Sequence, residues 1–135
     1  KGHANSVAVE EITVAGRTIT YPIVFDWEII YDDTARTDTM TVEGLADCCV
    51  AFCERVKSAG YTPMVYQNAS TSTHKLDLPR IKDYDFWLAE YTDFPTFYYE
   101  YDMWQYTSEG TIPGIEGNVD INISFKDFAN KADSE

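Results

Sequence analysis

The run TITYPIVFDWEII, from Thr18 to Ile30, restricts the fold more than any other part of this 135-residue chain. It is rich in β-branched and aromatic residues, and apart from its acids both faces of a strand built from it would be apolar. A strand that is buried on both faces is typical of a parallel sheet covered by helices. The run therefore predicts an α/β fold.

The residues that follow predict a helix and then a second strand. After the polar stretch YDDTARTDT, apolar residues recur at helical spacing and predict an amphipathic helix from about Val42 to Ala59, which Gly60 ends. The next segment, YTPMVYQN, reads as a buried strand whose proline lies near its start, where a strand tolerates it. Strand, helix and strand in this order form a βαβ unit, in which the two strands run parallel.

The rest of the chain predicts more strands with little helix between them. A polar loop and a helical turn from Leu78 to Lys82 come first, and at the other end of the chain the segment from Asn5 to about Val14 is a candidate short helix. The later predicted strands are DFWLAEY, FYYEYDMWQYT and VDINISF. The length suits a single domain spanning residues 1–135, and the pattern predicts a barrel whose later helices are short or absent.

The net charge of −13 argues against two kinds of partner. Nucleic-acid phosphates and anionic membranes both attract basic surfaces, so neither a nucleic acid nor a membrane is expected. No apolar run approaches the roughly 18–20 residues of a membrane-spanning helix, and no signal peptide opens the chain at Lys1. We therefore expect a soluble location and a processed or engineered start.

The three cysteines lie within the predicted helix, too close together to cross-link distant loops. Cys49 and Cys53 share a helix face, but no histidine or further cysteine completes a tetrahedral metal site with them. We expect the cysteines to be small buried residues and expect no metal. The glycine-rich turn TIPGIEGN lacks the lysine and the following helix of a phosphate loop, so no cofactor is expected either.

Asp26 and Glu28 are two residues apart on the first predicted strand, so their side chains project from the same face. Two acids at the end of an apolar strand repel each other and lose hydration, which favours a protonated acid beside an ionised one. Glycosidic cleavage needs such a pair, because one acid protonates the leaving oxygen and the other stabilises the developing positive charge. The alternative is that DWE marks the solvated end of a strand.

The surroundings of these acids resemble the lysozymes of glycoside hydrolase family 25. YPIVFDWE is similar to the family's strand that ends in Asp-x-Glu, and FCERVKSAGYTPMVYQN, FWLAEY, MWQYT and VDIN follow in the family's order, from about Thr18 to Phe125. The resemblance implies a (β/α)-barrel of which this chain holds only about strands 4 to 8. The first three strands, and the aspartate at the end of the first, would then be missing.

The resemblance also implies the roles of the acids. Glu28 would be the general acid/base, and Asp26 would orient the reacting sugar or stabilise it electrostatically. Asp120, in VDIN, matches a further acid of the family's cleft, and its alternative is an aspartate at a turn or strand start.

Aromatic and amide side chains near the predicted strand ends suit a carbohydrate cleft, because rings stack on sugars and amides bind hydroxyl and acetamido groups. For Trp87 a place in the core is an equal alternative. Trp104 and Gln105 match a strand-end pair of the family, but strand parity turns only one of them inward, and which one stays open. The candidate substrate-binding residues are Tyr66, Gln67, Trp87, Tyr91, Trp104 and Gln105.

The function implied by the resemblance is that of a secreted bacterial muramidase, or lysozyme, that acts at the cell wall. It would hydrolyse the β-1,4 bond between N-acetylmuramic acid and N-acetylglucosamine in the glycan strands of peptidoglycan. Either an enzyme carboxylate or the substrate's own 2-acetamido group would attack the anomeric carbon. The alternatives are a half domain that binds cell-wall glycan without cutting it and a purely structural fragment.

An incomplete barrel predicts two unpaired sheet edges. Three explanations are open: the sequence is a fragment whose N-terminal half lies elsewhere, a partner chain completes the barrel, or two copies close on each other. Self-association or an added partner is therefore expected.

Overall fold

The computed structural model describes residues 13–14, 17–29 and 37–129. In this part of the chain, a short antiparallel pair of strands precedes a five-stranded sheet that is interleaved with helices. The elements in chain order are β1 Thr13–Val14, β2 Arg17–Thr18, β3 Ile23–Asp26, α1 Val42–Ser58, β4 Pro63–Asn68, α2 Ala69–Lys75, α3 Leu78–Ile81, β5 Asp85–Ala89, β6 Met103–Gly110 and β7 Val119–Ser124.

The strands of the large sheet lie in the order β3-β4-β5-β6-β7. The first four run parallel, and α1 connects β3 to β4, so the predicted βαβ unit is confirmed. The described sheet is open, with β3 at one edge and β7 at the other. It forms a curled half-barrel, which agrees with the coarse α/β barrel expectation.

The last strand, β7, runs antiparallel to β6, which the sequence did not predict. Residues 111–118 between them are too few for the crossover that a parallel return needs, which takes about a dozen residues or more. Gly114 and Gly117 adopt φ values of 90° and 94°, which favour glycine in this turn. As a result, the start of β7 lies at the same end of the sheet as the C-terminal ends of β3 to β6.

Gly110 and Ile121 pack closely where β6 and β7 pair. A Cβ atom built on Gly110 would lie 2.2 Å from Ile121 Cδ1 and 2.9 Å from the carbonyl oxygen of Val119. Such distances are far below van der Waals contact, so a residue with a side chain does not fit at position 110 without a shift of β7.

Helix α1 covers one face of the sheet and supplies much of the core. Its apolar residues Leu45, Cys49, Cys53 and Val56 are buried, and several of them join Val65 and other apolar residues of the sheet in one cluster. Cys49 and Cys53 are free thiols, as expected for buried helix residues, whereas Cys48 is exposed, contrary to that expectation. Cys48 lies on the solvent face because neighbouring residues of a helix point about 100° apart.

The ends of α1 follow local signals that the sequence contains. Thr41 is the N-cap, and its hydroxyl accepts a hydrogen bond from Gly44 N at 3.0 Å. At the other end, Gly60 has φ 85°, and its backbone N–H bonds to Lys57 O at 2.9 Å. The helix predicted over Val42 to Ala59 is therefore confirmed to within one residue.

The first predicted strand is shorter than expected. The strand of the large sheet spans only Ile23–Asp26, while Arg17–Thr18 pairs with Thr13–Val14 in the small hairpin. Pro22 lies at the break, where it has no N–H to donate to a ladder. The helix predicted from Asn5 to Val14 is wrong at its end, which is strand, and its other residues lie outside the described ones.

Helix α2 occupies a stretch that the sequence predicted to be a polar loop. Its N-cap is Asn68, whose side chain accepts a hydrogen bond from Thr71 N at 2.7 Å. The hydroxyl of Ser72 donates to the carbonyl oxygen of Asn68 at 2.7 Å. These local bonds stabilise a short helix in spite of the low helix propensity of serine and threonine.

The fourth predicted strand begins later than expected. β6 starts at Met103, and residues 97–102 run outside the sheet. Phe97 stacks on Phe86 with ring centroids 5.2 Å apart, so this apolar residue packs against the sheet without being part of it.

No helix in the described part of the chain is long and apolar enough to cross a membrane.

Candidate active site

The two faces of the sheet differ in the residues they present. The face toward α1 carries apolar side chains such as Val65, Phe86 and Leu88 of the core. We call the opposite face the open face. It carries Asp26, Tyr66, Trp87, Gln105 and Asn122, which share aligned positions in the sheet or contact one another through their side chains.

Three acids lie at one edge of the open face, and we call them the acid rim: Asp26, Glu28 and Asp120. Asp26 is the last residue of β3, and Glu28 follows two residues later. Asp120 is the second residue of β7, whose start lies at this edge because β7 is antiparallel. Trp27, between the first two acids, is buried in the core. The side chains of Asp26 and Glu28 therefore lie on the same side of the chain, as the period of two predicts.

The acid rim converges on Tyr66. Burial raises the pKa of the Tyr66 phenol, and the neighbouring hydroxyl of Tyr91 and the negative charges of Glu28, Asp26 and Asp120 raise it further. Asp26 aligns with Tyr66 across the parallel pair of β3 and β4. The three acids are therefore close enough to act on one hydroxyl, although Asp26 and Asp120 are 94 positions apart in the chain.

The acids are more hydrated than the sequence suggested. Asp26, Glu28 and Asp120 are all exposed. The expected loss of hydration at Asp26 and Glu28 is therefore not found. The physical reason is that β3 is an edge strand of the described sheet, so the side of the acids away from β4 has no covering strand among the described residues.

Two tyrosines meet at one amide in the centre of the open face. Tyr66 and Tyr91 each donate a hydrogen bond to Gln105 Oε1, and both distances are 2.8 Å. Gln105 is buried, Tyr66 is half-buried and Tyr91 is exposed. The phenol rings thus reach from the interior of the sheet to the solvent.

Trp87 also belongs to the open face. Its ring meets that of Tyr66 edge to face, with centroids 4.9 Å apart, and its Nε1 donates to Asn122 Oδ1 at 2.9 Å. Trp87 therefore lies on the open face and not in the helix-side core, and its contact with substrate stays a prediction. Asn122 was missed by sequence reasoning, although it lies two residues after Asp120 in VDIN and shares its face by strand parity.

Gln67 lies on the helix side of the sheet, which corrects its predicted contact with substrate. Only 1% of its surface is exposed, its Nε2 donates to the carbonyl oxygen of Trp27, and its Oε1 accepts from Asn68 N at 2.8 Å. Adjacent residues of a strand face opposite sides, so Tyr66 and Gln67 cannot both reach the open face. Gln67 instead ties the end of β3 to β4 and so holds the backbone between Asp26 and Glu28.

Trp104 is likewise turned away from the open face. It packs against the core cluster, and its Nε1 donates to the carbonyl oxygen of Glu90 at 2.9 Å. Of the pair Trp104 and Gln105, only Gln105 faces inward.

In the described residues, no group of three or more His, Cys, Asp or Glu side chains could hold a metal ion.

The geometry defines a class of site: carboxylates beside aromatic and amide side chains on an open face, as glycoside hydrolases use them. A family model described as glycosyl hydrolases family 25 matches residues 7–115, and the chain belongs to this family. The matched range includes Asp26, Glu28, Tyr66 and Gln105 and ends before β7.

Solved structures similar to this chain come from enzymes of bacteria and phages. The modular autolysin LytC from Streptococcus pneumoniae is 28% identical with a TM-score of 0.62, over 78% of this chain and 26% of LytC. The catalytic domain of endolysin ply40 from bacteriophage P40 of Listeria monocytogenes is 29% identical with a TM-score of 0.55, over 70% of this chain and 47% of that domain.

A curated relative is the "D-alanyl-L-alanine endopeptidase" of Streptococcus phage B30, which is 27% identical over 104 residues. The match covers 67% of this chain but only 23% of the phage protein, so the chain spans about a quarter of that relative's length.

Proposed function

We propose that this chain carries the acid rim of a peptidoglycan hydrolase that cleaves the β-1,4 bond between N-acetylmuramic acid and N-acetylglucosamine. The observation that carries the proposal is the convergence of Asp26, Glu28 and Asp120 on Tyr66 at the edge of the open face. Membership of glycosyl hydrolases family 25 supports it, and so does the similarity to LytC, whose structure has been solved in complex with a synthetic peptidoglycan ligand.

In this proposal Glu28 protonates the glycosidic oxygen as its bond to the anomeric carbon breaks. Asp26 and Asp120 stabilise the positive charge that develops on the sugar ring and orient it. The anomeric carbon is attacked by a carboxylate or by the substrate's own 2-acetamido oxygen. Glu28, now ionised, then takes a proton from water as the water oxygen bonds to that carbon and the bond between the carbon and the carboxylate or acetamido oxygen breaks, which restores the acid.

The aromatic residues of the open face hold the glycan in the proposed cleft. The exposed ring of Tyr91 and the half-buried rings of Tyr66 and Trp87 offer apolar surface to sugar rings. Asn122 is held by Trp87 and presents the rest of its amide group to hydroxyl or acetamido groups. The enzyme would act on extracellular cell-wall glycan strands.

We also propose that strands from outside the described sheet complete the barrel. β3 and β7 are edges of that sheet, and Ile123 and Phe125 beside the β7 edge are 42% and 58% exposed. Unpaired edges with apolar residues favour association, because pairing satisfies backbone hydrogen-bonding groups. The added strands would come from an N-terminal half, a partner chain or a second copy. Sedimentation of the 135-residue chain should show self-association, whereas a compact monomer with cooperative unfolding would contradict this.

The experiment that tests the hydrolase is digestion of purified peptidoglycan, followed by reduction with borohydride and mass spectrometry of the fragments. A muramidase produces new reducing ends on N-acetylmuramic acid, and a glucosaminidase produces them on N-acetylglucosamine. An endopeptidase produces new amino groups and no reducing ends. Glycan binding without any new reducing end would contradict the hydrolase and favour the non-catalytic alternative.

A further inference from the structure

Gln105 uses a single oxygen atom to hold two tyrosine hydroxyls. Its Oε1 accepts one hydrogen bond from Tyr66 and one from Tyr91, each 2.8 Å long. An amide oxygen has two lone pairs and each phenol has one proton, so this arrangement uses both lone pairs and both protons. The two phenol oxygens keep only their lone pairs for other partners.

The backbone around Gln105 holds this amide in place. The residue pairs with Ala89 of β5 on one side and with Asn122 of β7 on the other. Its carbonyl oxygen accepts a hydrogen bond from Glu90 N at 3.2 Å, and only 3% of the residue is exposed. A buried side chain in the middle of a sheet is restricted to few rotamers, so the acceptor stays where the hydroxyls meet it.

We propose that Gln105 is a positioning residue, which turns the hydroxyl protons of Tyr66 and Tyr91 away from the cleft so that both phenol oxygens act only as acceptors toward the bound glycan. This proposal rests on the proposed function of the same site. It predicts that the glycan is recognised here through donor groups, namely its O–H groups or the N–H of an acetamido group.

The test needs no hydrolysis and uses calorimetry with an oligomer of N-acetylglucosamine. The variants are Tyr66→Phe, which removes the phenol hydroxyl, and Gln105→Met, which keeps a similar volume but has no acceptor oxygen. Each should weaken binding about three- to tenfold, while the double variant should bind no more weakly than the weaker single one, because the two residues act as a unit.

The outcomes separate this proposal from the proposed function. Multiplying effects for Tyr66 and Gln105 would overturn the positioning role even if the chain hydrolyses peptidoglycan. Binding with the expected coupling but no cleavage would contradict the hydrolase alone. A wild-type chain that neither binds nor cleaves glycan would overturn both.

Discussion

Both ends of the sheet carry acids, but the acids at the two ends differ in their partners. At the acid rim, Asp26, Glu28 and Asp120 are exposed, and no ion pair among the described residues involves them. At the opposite end, Asp85 and Asp102 both contact one lysine. Among the described residues, the acids at one end are therefore without a cation, and those at the other end share one.

The opposite end forms a compensated cluster of Asp85, Asp102 and Lys126. Lys126 Nζ lies 2.5 Å from Asp85 Oδ1 and 2.9 Å from Asp102 Oδ1. Asp102 Oδ2 also accepts a hydrogen bond from Phe86 N at 2.9 Å. This cluster joins the starts of β5 and β6 to the end of β7, so its charges stabilise the sheet. Acids held close together without such cations are typical of functional sites.

The largest effect is expected at the acid rim. Glu28→Gln keeps the shape of the side chain, but its amide cannot release a proton to the glycosidic oxygen, so hydrolysis should fall by roughly 10²–10⁴-fold. The midpoint of urea unfolding should stay close to that of the wild type. The rate of release of reducing ends from peptidoglycan measures the first effect, and circular dichroism in urea measures the second.

The matched control for Glu28→Gln is Asp83→Asn, which also removes one negative charge by an amide substitution. Asp83 is exposed and precedes β5 at the end of the sheet away from the acid rim. It should leave hydrolysis unchanged. Near wild-type lysis by Glu28→Gln would assign the proton donor to another residue and break the contrast between the two ends.

A smaller effect, on stability, is expected for Asp102→Ala. The change removes the acceptor of Phe86 N, a residue that is only 6% exposed, and one partner of Lys126. An unpaired buried N–H typically costs about 1–3 kcal/mol, so the free energy of unfolding should fall by that amount. Denaturant titration at neutral pH measures it, with Asp93→Ala in an exposed loop as the control. A loss of no more than the control shows would mean that the cluster does not hold the strands.

The smallest effect is expected for Lys126→Met, because this lysine is half exposed and exposed ion pairs contribute about 0.2–1 kcal/mol. Burial lowers the pKa of Lys126, but hydrogen bonds to Asp85 and Asp102 and their charges raise it more, so it ends above its usual value. A raised pKa stabilises the fold below the unfolded-state value of about 10.4, and this contribution is lost as the pH rises through the folded-state value.

The wild type and Lys126→Met should therefore differ in urea midpoint at pH 7 and converge above about pH 10.5. High salt should also reduce the difference at pH 7, because exposed charges are screened. A difference that stays constant from pH 7 to pH 11 would assign the effect to packing of the lysine stem.

The sequence was sufficient where a periodic pattern was strong. The period of two in VFDWE predicted that Asp26 and Glu28 share a face, and the buried position of Trp27 agrees with this. The helical period and the glycine at position 60 predicted α1. These features depend on neighbouring residues only, so a single sequence contains them.

Other features depend on contacts between distant residues and could not be predicted. Tyr66 and Gln67 both suit a glycan cleft by chemistry, and only the register of β4 shows that Gln67 bonds to the backbone of Trp27. The direction of β7 is an exception, because the loop that is too short for a crossover is visible in the sequence, and it decides that Asp120 reaches the acid rim. The shared bond at Gln105 joins residues on three different segments of the chain.

The close packing of Gly110 against Ile121 fixes the position of β7 and therefore the face on which Asp120 lies. A strand that slips by one residue turns every side chain to the other face. If a larger residue at position 110 forced β7 into the next register, Asp120 and Asn122 would leave the open face, and the isoleucines at 121 and 123 would replace them. Such a slip would change the chemistry of the open face from carboxylate to hydrocarbon, without any mutation in the acid rim.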